Sequence, residues 1–200
     1  MAKALNKNRI LGSKLILASS LGIVLFSRQF WGEENPIHEI FEMIGLVLVM
    51  ACALGRVYAT AYLGGFKNDE LITHGIYSLM RNPLYFFTLL GVTGIAFMSN
   101  HISVMIILPL SFVLLYRGLI QREQSFLEEK FGDAYIEYKE TVPAMFPNFS
   151  NYHSPASLEF YPRFLNKAFM DAIWWASALP IIEFAEYLQT TGLFPVYSAG

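Results

Sequence analysis

Two polar stretches of this chain hold side chains whose types and spacing suit chemistry. The first runs from Gly64-Gly65 through Gly75-Ile76-Tyr77-Ser78 to Arg81-Asn82-Pro83-Leu84-Tyr85 and leads straight into an apolar run. Its Gly64-Gly65 pair and the Asn82-Pro83 step mark a loop, and Pro83 suits the first position of a helix. Unbonded amides at such a start attract an anion such as a carboxylate, and Arg81 adds a guanidinium at the same place. A second reading of Arg81 stays open, that of a basic anchor at a membrane boundary. The second stretch runs from Tyr116 to Gly132. Helical spacing aligns Ile120, Glu123, Leu127 and Phe131, so Glu123 leans toward an apolar side with Gln124 beside it. Glu128, Glu129 and Lys130 read as a solvated face. Gly132 suits a helix stop, and a short amphipathic turn with Tyr135 and Tyr138 follows, then Val142-Pro143 and Pro147. Those tyrosines read as headgroup-level residues.

The elements that must position these groups are set by composition. The chain has 200 residues, 54% hydrophobic and 15% charged, which makes lipid the expected solvent. An uncharged run from Leu15 to Phe26 follows Lys3, Lys7, Arg9 and Lys14; with no small-residue cleavage site before Arg28, it reads as an uncleaved anchor helix. A second helix is expected from about Ile37 to Leu63, in which Glu39, Glu42 and Arg56 must snorkel or face protein. The region Pro83 to Tyr116 carries no Asp, Glu, Lys or Arg. One helix there would be about 50 Å long against a hydrocarbon core of about 30 Å, so a break at Ser99-Asn100 is predicted, giving a tight hairpin with Pro109 a kink point in the second arm. The last candidate spans Ala168 to Leu188 and contains Asp171, Glu183 and Glu186. The expected fold is an all-α integral membrane protein of about five transmembrane helices, including that hairpin, plus cytoplasmic amphipathic helices. Residues 1–150 are expected to form the core, and 151–200 an extension with an additional membrane helix.

Charge sets the orientation. With the amino terminus inside, four of the 14 Lys and Arg residues precede the first helix, two lie between Gly64 and Asn82, and six between Arg117 and Lys167. Only Arg28 falls in an outer loop, and Arg56 lies within a helix. Both polar stretches are thereby expected on the cytoplasmic side.

Several classes are disfavoured. A net charge of −2 with dispersed basic residues offers no nucleic-acid surface. Cys52 stands alone in an apolar run, and His38, His74, His101 and His153 have no metal-ligand spacing, so no metal site is expected. No GxGxxG, P-loop or serine-elbow pattern follows a predicted strand.

Taken together, the two stretches resemble the isoprenylcysteine carboxyl methyltransferase family, related to phospholipid N-methyltransferases. The family's first signature, Arg-His-Pro-x-Tyr-x-Gly after Gly-x-Tyr-Ser, is matched by Gly75-Ile76-Tyr77-Ser78 and Arg81-Asn82-Pro83-Leu84-Tyr85-Phe86-Phe87. The second is matched by Glu123-Gln124, Leu127, Phe131-Gly132, Tyr135, Tyr138 and Val142-Pro143. Asn82 stands for the family's His, Phe87 for its Gly and Gln124 for its second Glu; Asn can hydrogen-bond but cannot change charge near neutral pH. The resemblance implies S-adenosylmethionine as cofactor, contacted by Tyr77, Arg81, Asn82, Pro83, Tyr85, Glu123 and Gln124. A sulfonium cation suits the Glu123 carboxylate and the Tyr77 and Tyr85 rings, while the cofactor's carboxylate suits Arg81.

The implied acceptor is lipid-like or prenylated and enters sideways from the membrane lipids. Methyl transfer to a carboxylate needs no general base, and Arg117 or Arg122 is expected to orient the acidic group. An amine acceptor, as in phospholipid N-methylation, would make Glu123 a base. A non-enzymatic alternative is a small transporter using Asp171, Glu183 and Glu186 as intramembrane acids.

Overall fold

The computed structural model describes residues 18–24, 26, 29–32, 34–66, 69–159 and 161–191. The basic residues Lys3, Lys7, Arg9, Lys14, Arg28 and Lys67 lie outside that set, as does part of the expected anchor helix, of which residues 18–24 are helical. Every regular element among the described residues is helical.

Helix α1 (Pro36–Leu63) starts where Asn35 accepts the Ile37 amide at 3.0 Å, with Pro36 at the first position. It ends at Gly64-Gly65, the latter at φ 98°, a conformation that favours glycine. The one-turn α2 (Ile76–Leu79) precedes α3 (Pro83–Met98). The predicted break follows: Ser99 bonds back to the Ala96 carbonyl at 2.7 Å, and Asn100 takes φ 51°, as asparagine tolerates.

Helix α4 (Ile102–Phe131) is continuous over 30 residues. The change from apolar to polar composition at Tyr116 does not end the helix. Nothing there stops a helix: Gly118 costs only about 1 kcal/mol, and the Gln, Arg, Glu, Leu and Lys that follow favour helix. Gly132 at φ 54° does stop it, and Asp133 opens the nine-residue α5 (Asp133–Thr141), a helix where a short turn was expected. The last segment is α6 (Pro162–Ala176) followed by α7 (Ala178–Thr190). It begins at Pro162 rather than Ala168, because the early Arg163, Asn166 and Lys167 hide the start from a hydropathy reading while Pro162 favours it.

Among the described residues, three segments, Pro36–Leu63, Ile102–Phe131 and Pro162–Leu188, are long and apolar enough to cross a membrane, and Pro83–Met98 is a shorter apolar helix. Met43, Val47, Leu54, Ile106, Leu114 and Trp174 are all exposed. Water would penalise so large an apolar surface, whereas lipid solvates it. The chain is an all-α integral membrane protein.

Contacts divide the chain into two compact units. One comprises the described residues up to Met50, Leu89–Arg117 and those from Ala176 on. There α1 and α3 touch backbone to backbone: a Cβ on Gly45 would lie 2.6 Å from the Gly94 carbonyl oxygen. Val24, Ala96, Val104, Leu108 and Ala185 form its core. Two of the acids singled out in the last segment, Glu183 and Glu186, belong to this unit, where Glu186 accepts a hydrogen bond from Gln29 at 2.5 Å.

The other unit comprises Ala51–Thr88 and Gly118–Trp175. Its core gathers Ala59, Tyr62, Ile72, Ile76, Tyr77, Leu79 and Met80. Here Arg56 faces protein: it donates to Asp171 at 2.5 and 2.8 Å and to Thr88 at 2.6 Å, so this intramembrane charge is matched. The Phe87 ring lies where a Cβ on Gly55 would be, 2.3 Å away, so the phenylalanine that departs from the family pattern is seated on a glycine.

Candidate functional site

The site lies wholly within the second unit. Gly75 at φ 61° turns the chain against the Tyr62 ring, where a Cβ would come within 2.2 Å. This turn buries Tyr77 to 7% exposure. Tyr138 on α5 then donates its hydroxyl to the Tyr77 carbonyl at 2.7 Å. Tyr135 and Tyr138 pack with Val142 against Leu71, Leu127 and Phe131, and Tyr135 is only 1% exposed. The tyrosines read as headgroup-level residues are thus interior, because α5 folds back onto α4 and gives them an apolar bed and a backbone acceptor.

Backbone bonds join the two signatures directly. The Arg81 amide donates to the Pro143 carbonyl at 2.9 Å, and the Asn148 amide to the Leu79 carbonyl at 2.9 Å. Asn82 Nδ2 donates to the Ala144 carbonyl at 2.8 Å, so Asn82 pins the start of α3. Pro83 has no amide hydrogen, and the Tyr85 and Phe86 amides donate to the Asn82 carbonyl at 3.2 and 3.1 Å. The anion donors of this end are therefore side chains more than helix amides.

Two groups carry the electrostatics. Tyr85, in the first turn of α3, donates its hydroxyl to Glu123 Oε2 on α4 at 2.9 Å. This charge-assisted bond fixes the carboxylate, and half-buried Gln124 adjoins it. Opposite in character, Nε and Nη1 of Arg81 and the hydroxyl of Tyr77 are buried without a hydrogen-bond partner among the described residues. Burial pushes the Tyr77 phenol above its ordinary range, and Tyr138 and Glu123 add to the shift. Burial also raises Tyr138, against the opposing charge of Arg81. Both tyrosines stay neutral hydrogen-bond donors through the physiological range.

Leaving buried donors unmade costs about 1–3 kcal/mol each, more for a charged group. Arg81 and Tyr77 are thus prepared for an acceptor that a ligand would bring, and Glu123 for a cation. A molecule bearing both a carboxylate and a positive centre fits this set.

Arg117 and Arg122 are both exposed, and Arg117 belongs to the first unit while Glu123 belongs to the second. Tyr138 and the Pro143 and Ala144 carbonyls are the parts of the site that sequence reasoning missed; Tyr138 and Val142-Pro143 stood in the second signature but gave no sign of their backbone partners. Among the described residues no group of three or more His, Cys, Asp or Glu is placed to hold a metal ion.

Residues 37–134 match the phospholipid methyltransferase family, a stretch holding Arg81, Tyr85 and Glu123. The chain is similar to the membrane methyltransferases of the isoprenylcysteine and phospholipid type. It is 31% identical over 137 residues to protein-S-isoprenylcysteine O-methyltransferase A of Arabidopsis thaliana, covering 62% of this chain and 66% of that one. Longer matches join it to a cobalt-zinc-cadmium resistance protein of Cupriavidus metallidurans, 28% identical over 94% of this chain and 87% of the relative. A nickel-cobalt-cadmium resistance protein of Alcaligenes xylosoxydans xylosoxydans is 27% identical over 96% of this chain and 92% of its own length.

Proposed function

We propose that this chain transfers a methyl group from S-adenosylmethionine to a carboxylate of a lipid-like or prenylated acceptor at the cytoplasmic face of the membrane. The observation that carries the reading is the pairing of a Tyr85-clamped Glu123 carboxylate with the buried, unpartnered donors of Arg81 and Tyr77 in one unit. When bound, S-adenosylmethionine supplies an electrophilic methyl group on a sulfonium sulfur. Arg81 and Tyr77 receive its carboxylate, Glu123 and the Tyr85 ring face the positive centre, and Gln124 adds a neutral polar contact. Asn82 and Pro83 hold the α3 start in register.

With a carboxylate acceptor no proton has to be removed, so the residues act by orientation and by excluding water. Arg122, one residue from Glu123 and in the same unit, orients the acceptor's acidic group. The cytoplasmic placement rests on the distribution of Lys and Arg. The names of the two long-match relatives suggest tolerance of transition-metal ions as the biological setting. The family match to phospholipid methyltransferases favours a second acceptor, an amphiphilic amine, for which Glu123 would take the proton. Purified protein incubated with labelled cofactor and membrane extract separates the two: a base-labile methyl ester supports the carboxyl reading, and a base-stable labelled product supports the amine.

A further inference from the structure

From Thr141 to Leu158 the chain carries no Asp, Glu, Lys or Arg. Within this segment Phe146 is 73% exposed, Phe149 75% and Tyr152 52%. The backbone that carries these rings is pinned. Besides the bonds to Leu79, Arg81 and Asn82, the Gly75 amide donates to the His153 carbonyl at 2.7 Å. Asn151 Nδ2 donates to the Thr141 carbonyl at 2.9 Å. The segment cannot bury its rings by collapsing without breaking these bonds.

We propose that Phe146, Phe149 and Tyr152 insert into the interfacial layer of the bilayer and form a lipid-contacting lip on the site unit. Three observations favour lipid over a protein partner. The Tyr152 hydroxyl lies 3.2 Å from that of Tyr58, an exposed residue of membrane-length α1, so the lip is continuous with a lipid-facing surface. The Phe146 ring meets Phe86 edge-on at 6.4 Å, and Phe86 lies in the first turn of the apolar α3. At its other end the chain passes exposed Tyr161 and Phe164 as it enters the span that starts at Pro162. A protein-facing patch would ordinarily carry charges on its rim, whereas aromatic side chains on an uncharged backbone suit the headgroup boundary. The inference rests on the membrane fold and not on methyl transfer, so either can fail alone.

The test uses the full chain in phosphatidylcholine proteoliposomes, with Cys52→Ala removing the one native thiol and a nitroxide attached at Phe146→Cys or Phe149→Cys. At both sites the label is expected to collide more readily with oxygen than with a water-soluble nickel chelate, the reverse of a label at Glu140→Cys, an exposed position at the end of α5. Nickel-favoured collision at both sites would overturn the proposal, and so would dipolar broadening that reports a second copy on this face. A separate variant, Phe146→Ser with Phe149→Ser, is expected to keep the wild-type melting temperature in detergent but lose part of the upward shift that added phosphatidylcholine gives. An unchanged lipid-dependent shift would count against the lip.

Discussion

Tyr77 presents two opposite costs at one atom. Its hydroxyl is buried without a partner in the free protein, so removing it relieves a penalty there, yet the same hydroxyl is a donor that a bound carboxylate would use. Tyr77→Phe should therefore leave thermal stability unchanged or slightly raised while weakening S-adenosylmethionine binding tenfold or more, in line with the ~1.5–3 kcal/mol of a hydrogen bond to a charged group. Calorimetric titration beside a melting curve reads both, and a loss of stability with unchanged affinity would assign Tyr77 to packing. Tyr85→Phe removes a bond to a charged group of about 1.5–3 kcal/mol, so Glu123 should hold the cofactor more than tenfold less tightly. The pH dependence follows from the same burial. The folded-state values of Tyr77 and Tyr138 lie above the ordinary tyrosine value near 10, so the folded protein keeps protons that the unfolded chain releases. Their contribution is fully present below about pH 10 and is lost as pH rises beyond it. The melting temperature should fall there, and less steeply in Tyr77→Phe.

The helices hold these residues by close approach. A methyl group on Gly55 would meet the Phe87 ring at 2.3 Å, so Gly55→Ala should destabilise by about 1–3 kcal/mol, and pairing it with Phe87→Ala should recover part of that loss. A double-mutant cycle on thermal stability measures the coupling, and simple additivity would refute it. The break at Ser99-Asn100 was legible because a run of apolar residues too long for one membrane crossing must turn, and Pro83 announced its own helix start. The pairing of Tyr85 with Glu123 was legible only as two signatures in the right order. Other features left little trace. The bonds from residues 79–82 to 143–148 are made largely by backbone groups, which every residue possesses, so no side-chain pattern announces them. The continuity of α4 was obscured by a change from apolar to polar composition that leaves helix propensity intact, and the start of α6 by basic residues in its first turns.

As a whole the molecule is a membrane protein whose site unit draws on segments from Ala51 to Trp175. Residues beyond 150 contribute to it through His153, which accepts the Gly75 amide, and through Asp171, which pairs with Arg56. Truncation after Ser150 should therefore lower both stability and cofactor affinity; full activity of the truncated chain, assayed as methyl incorporation into membrane extract, would confine the machinery to residues 1–150. The central claim is that segments 77–85 and 123–124 together grip a positively charged methyl donor. Calorimetric titration of the folded, purified protein with S-adenosylmethionine tests it most directly. Saturable binding is predicted for the wild type, strongly weakened in both Arg81→Ala and Glu123→Ala while each variant still inserts into membranes. Absence of binding by the folded wild type, or wild-type affinity in both variants, would contradict it.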